Sequence, residues 1–178
     1  MDFTTAQGDS DMSSPHTGHA TVTPRHDRLI SEWVHDPYHS KKKLAEPSLC
    51  PGCGAVYHDG RWQWIAPETG TQEVLCPACH RIQDQCPAGF LTLTGEFLAL
   101  HLDDISHLAH NVEQREKAEH PLKRCMATRQ QADGSIEMTY TDPQLARAVG
   151  EAIHAAYQGE LNYHYQENEY LLRVSWHR

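Results

Sequence analysis

The chain has no strongly basic region. Its net charge is −9 over 178 residues, with 15 Lys and Arg against 24 Asp and Glu. Domains held to nucleic acid by bulk charge usually have a pI above about 9, so diffuse electrostatic binding is excluded and only local basic spots remain. Nor is there an apolar run approaching the ~20 residues of a membrane-spanning helix, so no membrane partner is expected. Hydrophobic residues make up only 39%, a low share for a fully globular chain, and much of the deficit lies at the N-terminus. Met1 to Ala20 is polar and lacks the apolar segment of a signal peptide. With cysteines in a metal-type spacing, this predicts a reducing, cytoplasmic setting. Catalytic signatures are missing too. There is no Gly-x-x-x-x-Gly-Lys-[Ser/Thr], no Gly-x-Gly-x-x-Gly, no His-Glu-x-x-His and no nucleophile elbow. Neither a nucleotide cofactor nor enzymatic activity is expected.

What is present is concentrated in two pairs, Cys50-Pro-Gly-Cys53 and Cys76-Pro-Ala-Cys79, with 22 residues between them. Two residues between thiolates let both sulfurs of a knuckle reach one ion at about 2.3 Å, and two such knuckles complete a tetrahedron. Gly54 supplies the residue without a Cβ where the first knuckle turns. Cys50, Cys53, Cys76 and Cys79 are therefore the expected ligands of one Zn²⁺. Four thiolates leave no position for water, so the site reads as structural. A redox centre would use one such pair opening a helix. Cys86 and His80 lie close enough to be spare ligands, whereas Cys125, in a strand pattern, reads as a small apolar group.

The chain divides into a disordered tail (1–24), a docking arm or linker (25–49), a zinc-ribbon module (46–90) and an αββαββ domain (91–178). The tail can bury almost nothing. In the arm, Leu29, Ile30, Trp33 and Val34 have helical spacing, ended by Asp36-Pro37. Lys41, Lys42 and Lys43 follow, either a solvated linker or a phosphate contact. In the module, β-prone runs at 55–58 and 61–65 flank Asp59-Gly60, a hairpin turn signal. Trp62 and Trp64 are two apart on one strand face, so one covers the metal and the exposed one, with Arg61, is free to stack on a base or a partner.

A long helix is expected over about 95–118, capped by Thr94, with Leu98, Leu102, Ile105, Ala109 and Val112 as its stripe. Strands are expected at 123–129 and 135–141, the second with Ile136, Met138 and Tyr140 inward. Asp142-Pro143 opens a helix with Leu145, Val149, Ile153 and Ala156 buried and Gly159 as its stop. Alternating strands then carry Leu161, Tyr163 and Tyr165, and, after a Glu167-Asn168 turn, Tyr170, Leu172, Val174 and Trp176. The fold class is thus α+β: a small zinc ribbon, a long helix, and a two-layer sandwich with an antiparallel sheet. The opposite sheet face should carry polar residues such as Asn162, His164, Arg173 and His177. The 14 histidines are spread along the chain and read mainly as solvated side chains, although His107 and His110 could share a helix face.

Cys50-Pro-Gly-Cys53-Gly54-Ala-Val-Tyr, Gly60-Arg61-Trp62-Gln63-Trp64, the second knuckle and the αββαββ tail together resemble a group of uncharacterised bacterial zinc-ribbon proteins. These are similar in turn to the N-terminal half of nonsense-mediated decay protein three, the adaptor for export of the large ribosomal subunit. The resemblance implies zinc binding and association with RNA or the ribosome. The residues that read, by their own chemistry, as contacts for such a partner are Trp33, Lys41, Lys42, Lys43, Arg61, Trp62 and Trp64. The alternatives are a protein–protein adaptor that binds no RNA and a redox- or metal-responsive protein.

Overall fold

The computed structural model describes residues 1, 36–39, 44–166 and 169–178. The tail, most of the arm including Trp33, the three lysines and the Glu167-Asn168 turn lie outside the described residues. Two mixed sheets and four helices are built from the rest.

The first sheet is small. It consists of β1 (Ser48–Leu49), β2 (Val56–His58), β3 (Arg61–Gln63) and β4 (Gln72–Glu73), in the order β3-β2-β1-β4. The hairpin β2–β3 turns at Asp59-Gly60 as the sequence predicts, with φ of 50° and 74° at the two residues. Positive φ at both turn positions matches the right-handed twist of the flanking strands. A short helix, α1 (Pro77–Gln83), follows.

The second sheet has five strands: β5 (Gly89–Thr94), β6 (Cys125–Gln130), β7 (Ile136–Tyr140), β8 (Glu160–Tyr165) and β9 (Leu172–His177), in the order β6-β7-β5-β9-β8. It differs from expectation in two ways. Strand β5 precedes the long helix; its Leu-Thr-Leu-Thr alternation buries Leu91 and Leu93 completely. The sheet is mixed rather than antiparallel, because β5 pairs parallel with β9. The hairpin β8–β9 causes this: β8 takes the edge and β9 folds back between β8 and β5.

The expected long helix is broken into α2 (Glu96–Leu100) and α3 (Leu102–Glu119), with His101 at φ −125° between them. Thr94 is the last residue of β5 and caps nothing; Gly95 stands at the N-cap without a side-chain hydrogen bond. Glycine is required there. Its φ is +107°, and a Cβ would lie 2.1 Å from the Arg178 carbonyl oxygen. The stripe itself is as expected: Leu98, Ile105, Ala109 and Val112 are buried, with Leu102 packed against them.

Helix α4 (Pro143–Tyr157) starts as its sequence dictates. Asp142 accepts from the backbone N–H of Gln144 (2.8 Å) and Leu145 (3.0 Å), and Pro143 occupies the first turn. Leu145, Val149 and Ile153 are fully buried. Ala156 is exposed, and the helix stops at Gln158 (φ 60°), one residue before the glycine. These helical stripes and the inward residues of β5, β7 and β9 form one core around Trp176, whose Nε1–H donates to the Gln158 carbonyl at 2.7 Å. The helices cover one face of the sheet. The other is open, with Asn162, His164, Arg173 and His177 exposed as expected. No helix among the described residues is long and apolar enough to cross a membrane.

Candidate metal centre

The sulfurs of Cys50, Cys53, Cys76 and Cys79 all lie within 4.8 Å of one another. Two structural units bring them together. The first knuckle closes through Gly54 N–H donating to the Cys50 carbonyl (2.8 Å) and Cys50 N–H to the Ala55 carbonyl (2.8 Å), with Gly54 at φ +79°. The second knuckle opens α1. Cys76 is its N-cap, and its sulfur accepts from Cys79 N–H at 3.4 Å. Gly52 lets the two meet: a Cβ there would sit 3.0 Å from Cys79 Sγ and 3.2 Å from Leu75 Cδ1.

The geometry fits a metal and not a disulfide. Cys53 Sγ and Cys76 Sγ are 3.8 Å apart, against about 2.05 Å for an S–S bond. Four sulfurs at about 2.3 Å from one ion have a tetrahedral edge of about 3.8 Å. All six cysteines are free thiols. Cys86 and Cys125 stand outside the cluster, Cys86 exposed and Cys125 half-buried with its S–H toward the Ala127 carbonyl (3.7 Å). His80 is exposed and is not one of the clustered groups.

A fifth residue completes the centre. Arg124, buried just before β6, donates from Nη2 to Cys76 Sγ (3.1 Å) and Cys79 Sγ (3.4 Å), and from Nη1 to Cys79 Sγ (3.4 Å). Burial opposes its charge, but the contacts with Cys79 and Cys76 outweigh this and raise its pKa above the ordinary value. The thiols respond to the same surroundings. Burial pushes Cys76 and Cys53 up, with Arg124 pulling both back in part. At Cys50 burial is outweighed by the backbone N–H groups of Cys76, Gly52 and Cys53, which bring it down to about 7. Sequence reading missed Arg124. It lies 45 residues from Cys79, and nothing local distinguishes it from an ordinary strand arginine.

Of the expected contact residues, Trp62 is buried at 8% exposure and packs with Cys50, Ala55, Cys76 and Ala78. It is thus the tryptophan that covers the four-cysteine cluster. Trp64 is 40% exposed, yet held in place: its Nε1–H donates to the Lys117 carbonyl, in the last turn of α3, at 2.7 Å. Arg61, in β3, is exposed and lines the same cavity as Trp64. No family model, curated protein or solved structure matches the chain.

Proposed function

We propose that the chain is a non-enzymatic zinc protein in which Cys50, Cys53, Cys76 and Cys79 hold one structural Zn²⁺. The observation that carries this reading is the cluster of four sulfurs with the Arg124 guanidinium against two of them. Four thiolates around Zn²⁺ leave a net charge of −2 on the site, and a buried cation donating to two of them offsets part of it. Zinc would supply folding energy: apparent binding energies in zinc-finger peptides reach about 10–16 kcal/mol at pH 7. The module's own core is little more than Trp62, Ala55 and Ala78. With every ligand position filled, no water is activated, and the residues serve to fold the module. Metal analysis of the purified protein tests this, with one zinc per chain expected. A value well under one with free thiols overturns it.

The module's role is that of a binding adaptor. Arg61 and the exposed, anchored Trp64 support contact with RNA or with a ribosome-bound surface, since aromatic rings beside cations stack on unpaired bases. The acidity of the whole chain suits local recognition. Sucrose-gradient sedimentation decides: co-migration with ribosomal particles at low salt is expected. A protein that stays in the unbound fraction while capturing a non-ribosomal protein removes the RNA reading and leaves the zinc reading intact.

A further inference from the structure

We propose that the cavity between the metal module and the C-terminal end of α3 receives one unpaired nucleotide of an RNA strand, its base against fixed aromatic walls and its phosphate beside Arg61. This role rests on the RNA reading of Arg61 and Trp64. The cavity has a volume of about 750 Å³, and Tyr38, Tyr57, Trp64, Ile65, Pro121 and Leu122 are among its walls. Cavities of about 300–1,000 Å³ with mainly apolar and aromatic walls and a few polar groups are those that take a compact ligand. Its rim reaches solvent, since Trp64 and Ile65 are 40% and 43% exposed.

Three of the wall rings are each held by a contact of their own, so they stand as walls and do not fold inward. Trp64 Nε1–H donates to the Lys117 carbonyl at 2.7 Å. Tyr57 packs on the buried Trp62, with ring centres 5.5 Å apart. The Arg81 guanidinium lies 4.4 Å from the centre of the Tyr38 ring, and Tyr38 OH donates to Asp84 Oδ2 at 3.0 Å. Rings fixed in advance cost little freedom on binding, and every base has a flat face to lay on one. The polar lining suits the phosphate. Five basic side chains (Arg61, Lys123 and three histidines) stand there against two carboxylates, Glu119 and Asp142, in a chain where acids outnumber Lys and Arg 24 to 15. Asp142 is already engaged: Oδ1 caps α4, and Oδ2 accepts from Tyr170 OH at 3.2 Å. Lys123 is tied to Glu116. Arg61 is exposed, and its planar fork matches the oxygens of a phosphate. A walled cavity with rings and a cation together fits a nucleotide, whereas an extended peptide adds to a strand edge or lies along a groove. A base paired within a helix cannot be laid on such walls, so the strand must be single.

Fluorescence anisotropy of a labelled single-stranded oligouridylate, titrated with the full-length protein, tests the pocket. Trp64→Ala should weaken binding roughly 5–150-fold, the loss of one stacked base, and Trp64→Phe, which keeps a ring, should lose less. Trp64 also ties the module to α3, so a second variant at an exposed side chain, Arg61→Gln, guards against a folding effect. It should reduce the slope of log affinity against log salt by about 0.7, one phosphate contact on a single strand. A strand carrying 4-thiouridine should cross-link to Trp64, Tyr57 or Tyr38. Binding that is absent, unchanged in either variant, or as tight for the strand annealed to its complement overturns the proposal. So does a mononucleotide that binds as tightly as the strand, or a non-ribosomal protein that shields Trp64 when the strand does not bind. Sedimentation separates this pocket from the adaptor reading. Co-migration with ribosomal particles that survives both variants keeps the adaptor and removes the pocket. Strand binding that both variants weaken, in a protein that does not co-migrate, keeps the pocket and removes the ribosome.

Discussion

Arg124 joins the two halves of the molecule chemically. Its planar fork spans Cys76 and Cys79, which the point charge of a lysine cannot do. Arg124→Ala should therefore weaken metal binding by about 10–100-fold, the range found when groups that hydrogen-bond to metal ligands are removed. Arg124→Lys should recover only part of that loss. Competition with a chromophoric chelator measures both, and an unchanged affinity in Arg124→Ala would show the contact to be incidental. The four cysteines were legible in the sequence because ligand spacing is a local property, two residues within each knuckle. Arg124 was not, because its role depends on where the start of β6 falls relative to α1. Trp62 and Trp64 show the same division. Their shared β-prone run was legible, but β3 ends at Gln63, short of Trp64, and which ring is buried depended on what lies above each.

At the scale of elements, α4 illustrates a close approach that composition conceals. Gly150 faces the sheet, and a Cβ there would lie 2.8 Å from Val174 Cγ1 and 3.3 Å from Leu161 Cδ1. Gly150→Ala improves helix propensity by up to about 1 kcal/mol. It should nonetheless destabilise the protein by about 1–3 kcal/mol through overpacking, and a lower urea midpoint at an unchanged slope would register this. A second element-level contact predicts a pH effect. Lys123 Nζ lies 2.8 Å from Glu116 Oε2 and ties the end of α3 to the loop carrying Arg124. The Lys123 hydrogen bond holds the Glu116 carboxyl below its ordinary value of 4.5. A depressed folded-state pKa contributes stability that is full above the ordinary value and is lost as pH falls through the lower one. Thermal melts of wild type and Glu116→Gln should therefore differ at pH 6 and converge as the pH falls well below the ordinary value of 4.5. A constant difference across that range would contradict this role for the pair. The pair is partly exposed, so the difference should be small.

For the whole molecule, the two units should respond unequally to loss of metal. Residues 89–178 contain a core with Trp176, Tyr140, Leu91 and Ile153 fully or almost fully buried. The module around the four cysteines has only a few small groups and Trp62. Chelation, or Cys76→Ser, should release protection from hydrogen exchange in β1–β4 and α1. The five-stranded sheet should persist, with added exchange at the start of β6, where Arg124 loses its acceptors. Loss of protection across both units together would mean that they fold as one cooperative body.

Local chemistry in the sequence determined the two knuckles, the Asp59-Gly60 hairpin, the capped start of α4 and the alternation of β7 and β9. Each depends on residues a few positions apart. The tertiary structure decided the parallel pairing of β5 with β9, the break at His101, the buried Arg124 and the anchoring of Trp64 on α3. These join residues far apart in the chain, where the outcome is set by which surfaces must be buried together and not by the preference of either segment.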